Sequence, residues 1–171
     1  SVTADKIDLV GGILADGTPD RTNGVLVADT DDLTLTTTTN DIVIGGDIIT
    51  KDKKLALKSA AAANITGKLE TESSTSEIDI DAAGDVTLGG DIINYNGATV
   101  KILAAHIDAA DSAVTNNANA TMELGGSNTE SVTTGNITNS GNLKITAANV
   151  TNMPPTKSIL SAVTDAPRST N

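Results

Sequence analysis

DIVIGGDIIT at residues 41–50 returns as DVTLGGDIIN at residues 85–94, an offset of 44 residues that divides in two. Apolar-x-apolar triplets stand at Leu33-Thr34-Leu35, Leu55-Ala56-Leu57, Ile78-Asp79-Ile80, Val100-Lys101-Ile102, Met122-Glu123-Leu124 and Leu143-Lys144-Ile145, spaced by 22, 23, 22, 22 and 21 residues. Alternation within each triplet is the signature of a strand that sends two side chains inward and one outward. A second column keeps step with the first: Gly24-Val25-Leu26, Gly46-Asp47-Ile48, Gly67-Lys68-Leu69, Gly90-Asp91-Ile92, Ser112-Ala113-Val114 and Gly135-Asn136-Ile137. Its small first residue suits a corner where the backbone bends and a new strand begins.

Two columns with one period predict an all-β chain folded as a parallel β-solenoid, with coils of about 22 residues hydrogen-bonded to the next coil about 4.8 Å away. Composition agrees, because 38% of the residues are hydrophobic but only 1% are aromatic, with no Phe and no Trp. In a narrow coil the same position recurs directly above itself, and an aromatic ring at one level would crowd the levels above and below. A sandwich with turns every 8–12 residues is the competing all-β reading, and it does not account for a 22-residue register.

The outward middles of the triplets read Thr34, Ala56, Asp79, Lys101, Glu123 and Lys144, the last four alternating in sign. Stacked on adjacent coils, these charges are expected to form a ladder of ion pairs, with Asp47, Lys68 and Asp91 forming a second one in the glycine column.

The formal charge of −11, from 11 basic and 22 acidic residues, argues against nucleic acid or anionic lipid as a partner. No apolar run approaches the roughly 20 residues of a membrane helix, so no membrane span is expected. The absence of cysteine removes disulfides and thiolate metal sites, and it suits a secreted protein. A chain opening on Ser1 is expected to be a processed or partial form.

GNLKITAANVTNMP (Gly141–Pro154), GDVTLGGDIIN (Gly84–Asn94) and TTGNITNSGNLKI resemble the repeats of filamentous haemagglutinin and related secreted bacterial adhesins. The resemblance spans about Gly24 to Asn152 and implies a right-handed parallel β-helix with an extracellular or cell-surface location. Domain organisation on this reading is an N-terminal cap or assembly segment over 1–23, the solenoid over 24–152 and a C-terminal tail or cap over 153–171. The first segment carries Ile7, Leu9, Val10, Ile13 and Leu14 outside both columns. In the last, Pro154 and Pro155 break the coil, and Ile159, Leu160 and Val163 fit one short amphipathic helical turn. These eight apolar residues are the candidates for assembly, since an open solenoid end exposes backbone and core.

Chemical sites are sparse. His106 stands alone and is expected on a strand edge; no catalytic residue and no cofactor is assigned. The clusters Asp29, Asp31, Asp32 and Glu77, Asp79, Asp81, Asp85 are the only calcium candidates, and neither has the spacing or glycine of a calcium loop. Asn64, Asn119, Asn136 and Asn149 head glycosylation sequons, each with Thr two residues later. A carbohydrate-cleaving or carbohydrate-binding β-helix would stack sugars on aromatics, whereas this chain has only Tyr95. An ice-binding array would need outward Thr on every coil, and Thr34 is followed by Ala56, Asp79 and Lys101. The expected function is therefore a non-enzymatic extracellular structural protein, a self-assembling subunit of a surface fibre, appendage or matrix whose partner is itself, head to tail. Cell-surface glycans are a second candidate partner, and a stalk segment of a large secreted adhesin is the alternative function.

Overall fold

The computed structural model describes residues 1–9, 25–28 and 30–153, and within them every regular element is a strand. In chain order these are Val2–Ala4 (β1), Ile7–Leu9 (β2), Val25–Ala28 (β3), Leu33–Thr37 (β4), Ile42–Ile44 (β5), Asp47–Thr50 (β6) and Lys54–Ser59 (β7). Ala63–Ile65 (β8), Leu69–Thr71 (β9), Glu77–Ala82 (β10), Val86–Leu88 (β11), Ile92–Asn94 (β12), Thr99–Leu103 (β13) and His106–Ala109 (β14) follow. The last are Val114–Asn116 (β15), Thr121–Leu124 (β16), Ser131–Thr134 (β17), Ile137–Asn139 (β18), Asn142–Ile145 (β19) and Asn149–Asn152 (β20). Every third strand pairs in parallel. Face one runs β1-β4-β7-β10-β13-β16-β19, face two β2-β5-β8-β11-β14-β17-β20 and face three β3-β6-β9-β12-β15-β18, giving a three-sided β-solenoid.

Both columns read from the sequence are columns of the structure. On face one Leu33 pairs with Leu55, Leu55 with Ile78, Ile78 with Val100, Val100 with Met122 and Met122 with Leu143. On face three Ile48, Leu69, Ile92, Val114 and Ile137 follow the same rule. These side chains converge with those of face two on one apolar core, in which Leu55, Ile78, Ile92 and Ile102 are fully buried.

Face two forms a third column, which the two sequence columns do not include. Its inward positions run Ile7, Ile42, Ala63, Val86, Ile107, Val132 and Val150. The step from Ile107 to Val132 is 25 residues and the next, to Val150, is 18. The excess lies in an excursion at 125–130, folded against the stack by Thr129: its hydroxyl donates to the Ala104 carbonyl at 2.7 Å and accepts from the Gly126 amide at 2.9 Å.

The first coil also belongs to the stack. Val2 pairs with Leu35 and Ile7 with Ile42, offsets of 33 and 35 residues, while Val25 pairs with Asp47 at the usual 22. Because 15 residues separate β2 from β3, the first two strands fall out of step with the 22-residue period. The ladder thus begins at Val2, well before the expected boundary at residue 24.

The column glycines are required for a different reason from the bend expected of them. Gly46, Gly67 and Gly90 lie one above another, and a β-carbon on Gly90 would come within 2.5 Å of the Gly67 carbonyl carbon; one on Gly67 would overlap the backbone of Gly46. Close approach between coils, with φ in the ordinary range, excludes a side chain there. Gly126 differs, since a β-carbon would meet only the flexible end of Leu103 at 3.2 Å. Gly90→Ala is expected to lower stability by about 1–3 kcal/mol through overpacking against backbone, and Gly126→Ala by well under about 1 kcal/mol. Urea melts of both variants check this, and equal midpoints would refute the close-approach account.

Candidate functional surfaces

Inside the corner that joins faces three and one lies a buried polar ladder that the hydrophobic pattern did not disclose. Thr71, Asn94 and Asn116 are at most 1% exposed. The Thr71 hydroxyl donates to Asn94 Oδ1 at 3.0 Å, Asn94 Nδ2 to Asn116 Oδ1 at 2.9 Å and Asn116 Nδ2 to Asn139 Oδ1 at 2.9 Å. The same amides also donate to backbone, Asn94 to the Thr121 carbonyl at 2.8 Å and Asn116 to that of Asn142 at 3.1 Å. A primary amide has donors and acceptors enough to bond along the stack and across the corner at once, which a hydroxyl or carboxylate does not. Its signal in the sequence is Asn94, Asn116 and Asn139, spaced by 22 and 23 residues.

Aspartates perform a related task at the surface. Asp32, Asp41, Asp47 and Asp91 accept the backbone amides of Lys54, Ala62, Lys68 and Ala113, each one coil further on, all at 2.9 Å. Asp52, at a positive φ of 60°, accepts from the Ser73 and Thr75 hydroxyls, and these bonds hold its carboxyl below the usual carboxylate range.

The expected charge ladders have the right register but other contacts. Asp79, Lys101, Glu123 and Lys144 do pair in sequence along face one. Among the described ion pairs, however, Asp79 binds Lys54 at 3.2 Å, and Lys54 also holds Glu77 at 2.7 Å. Lys54 lies directly across from Glu77, and Asp79 is two residues further along the same face, so one ammonium reaches both. In the second column Asp47 and Asp91 bind backbone, and the Lys68 ammonium pairs with Glu70 at 2.5 Å. Hydrogen bonding to Glu77 raises the Lys54 ammonium above its ordinary value near 10.5 against the opposing effect of partial burial, and Asp79 adds to the rise.

Residues singled out for chemistry are dispersed. His106 opens β14, with Nδ1 2.9 Å from Ser131 Oγ and Nε2 3.5 Å from Glu130. Of the acidic clusters, Asp32, Glu77 and Asp79 are engaged as described, Asp81 and Asp85 are exposed, and Asp29 lies outside the described residues. No group of three potential metal ligands gathers among the described residues. Asn119, Asn136 and Asn149 are exposed and Asn64 is half-buried in the middle of β8.

Of the assembly candidates, Ile7 is 7% exposed in the core of its own chain and Leu9 packs against that core. Val10, Ile13, Leu14, Ile159, Leu160 and Val163 lie outside the described residues. The exposed large apolar side chains among the described residues are Val2 at 49%, Tyr95 at 48% and Met153 at 59%; the first and last stand at opposite ends of the stack. Compared with family models, curated proteins and solved structures, the chain matches none.

Two substitutions separate the buried ladder from the surface charges. Asn116→Ala removes the acceptor of Asn94 and is expected to cost about 1–3 kcal/mol, whereas exposed Asn136→Ala should cost under about 0.5 kcal/mol. Lys54→Met is expected to cost at most about 1 kcal/mol at low salt, shrinking as salt is added. Because the Lys54 pKa is raised on folding, its contribution is complete below pH 10.5 and lost as pH rises through the folded value. Parent and variant melting curves should therefore converge only in strong alkali. A gap between them that is already closed at pH 9 would contradict the assignment.

Proposed function

We propose that this chain is a non-enzymatic structural protein, the rod of an extracellular surface fibre, appendage or matrix in which copies join head to tail. The observation that carries this reading is the polarity of the stack. Its parallel faces begin at β1 and β2 and finish, among the described residues, at β19 and β20, with exposed Val2 at one end and exposed Met153 at the other. An end that differs from its counterpart makes a heterologous contact, and such a contact extends into a filament unless its rotation closes a ring. Supporting it, several polar side chains join coil to coil: Asn94 and Asn116 inward, Asp32, Asp41, Asp47 and Asp91 to backbone amides, and Lys54 to its two carboxylates. A cysteine-free composition and the repeat-level resemblance to secreted adhesins favour an extracellular setting.

Electron microscopy and sedimentation of the full 171-residue chain test the proposal. Filaments one rod wide, lost on Val2→Lys without a change in melting temperature, are the expected result. Isolated short rods at high protein concentration would overturn it in favour of a stalk segment.

A further inference from the structure

We infer that the joint between copies continues the β-ladder in register, with β20 of one copy beside β2 of the next and β19 beside β1. This rests on the fibre reading above and specifies its contact. Within the chain, each coil offers the next a template defined by columns. The face-two column runs from Ile7 to Val150 with an apolar residue at every level between them, and its outward neighbour runs Asp8, Val43, Asn64, Thr87, Asp108, Thr133, Thr151. On face one the column that starts at Val2 passes through Leu35, Leu57, Ile80, Ile102 and Leu124 to Ile145.

A second copy set one strand spacing beyond β20 therefore meets Val150 with Ile7 and Ile145 with Val2, apolar against apolar in both columns, and Thr151 with Asp8. On faces one and two all strands remain parallel and in register, while on face three β18 and the next copy's β3 stand two strand spacings apart. Val2, half exposed although it occupies an inward column, gains the neighbour that every interior member of its column has. A two-fold dimer that joins like ends would set Val2 against Val2 and reverse the strands across the joint, so the parallel template would not extend.

The absence of cysteine makes the register directly readable. Asp8→Cys with Thr151→Cys places two exposed thiols in one outward column, six strand spacings or about 29 Å apart within a copy but about 4.8 Å apart across the joint. Only the second separation is within disulfide reach. Asp8→Cys with Asn149→Cys shifts the pair by two residues, to about 8 Å across the joint and out of reach. Mild oxidation of filaments is expected to give a ladder of covalent multimers on a non-reducing gel for the first variant and monomer for the second. Filaments that cross-link equally in both variants, or in neither, overturn the register while the fibre reading stands. Disulfide dimers from Asp8→Cys alone would show like ends in contact and overturn it as well. If folded variants, verified by their melting curves, form no filaments, and the parent forms none either, both readings fall.

Discussion

The constraint on which this molecule depends is that equivalent residues of successive coils lie one strand spacing apart, about 4.8 Å, directly above one another. At that distance a side chain's principal neighbours are copies of its own position. Branched aliphatics such as Leu55, Ile78 and Val100 fill the interior level by level, and bulky rings are left out. Gly46, Gly67 and Gly90 form a column because the backbone of each coil occupies the place of a β-carbon on the next. Asparagine is favoured inside the corner because its amide can accept from the coil below and donate to the coil above without breaking the period.

The same constraint explains which parts of the fold were legible in the sequence. Faces one and three are legible because each repeats a large apolar inward residue at every level with a nearly fixed period of 21–23 residues. Face two uses smaller or polar inward residues, Ala63, Ala109 and Thr134, and its step lengthens to 25 at the 125–130 excursion before falling to 18, so its pattern fades. The first coil was hidden by the long path between Leu9 and Val25. Gly67 and Gly90 stand at corners, as the sequence suggests, and the operative cause is proximity between coils and not an unusual backbone angle.

Side-chain partners were less legible than register. Sequence places Asp79 beside Lys101, and the backbone pairing agrees, yet the carboxylate binds Lys54, which reaches diagonally from the adjacent strand. Asn94, Asn116 and Asn139 repeat at the coil period, but polarity alone assigns them to the surface; a buried corner amide is recognisable only once the corner itself is known. Among the described residues, β1 and β2 at one end and β19 and β20 at the other pair with a strand on one side only.

Register is the central claim, and pulsed electron spin resonance on a chain labelled at Thr34→Cys and Lys144→Cys, diluted in unlabelled protein, measures it most directly. These outward positions share a column through Ala56, Asp79, Lys101 and Glu123, five strand spacings in all. The account predicts one narrow distance distribution centred near 24 Å between backbones, broadened only by the label tethers. A broad distribution, or a centre beyond about 35 Å, where the strands could not lie at successive spacings of one sheet, would contradict it.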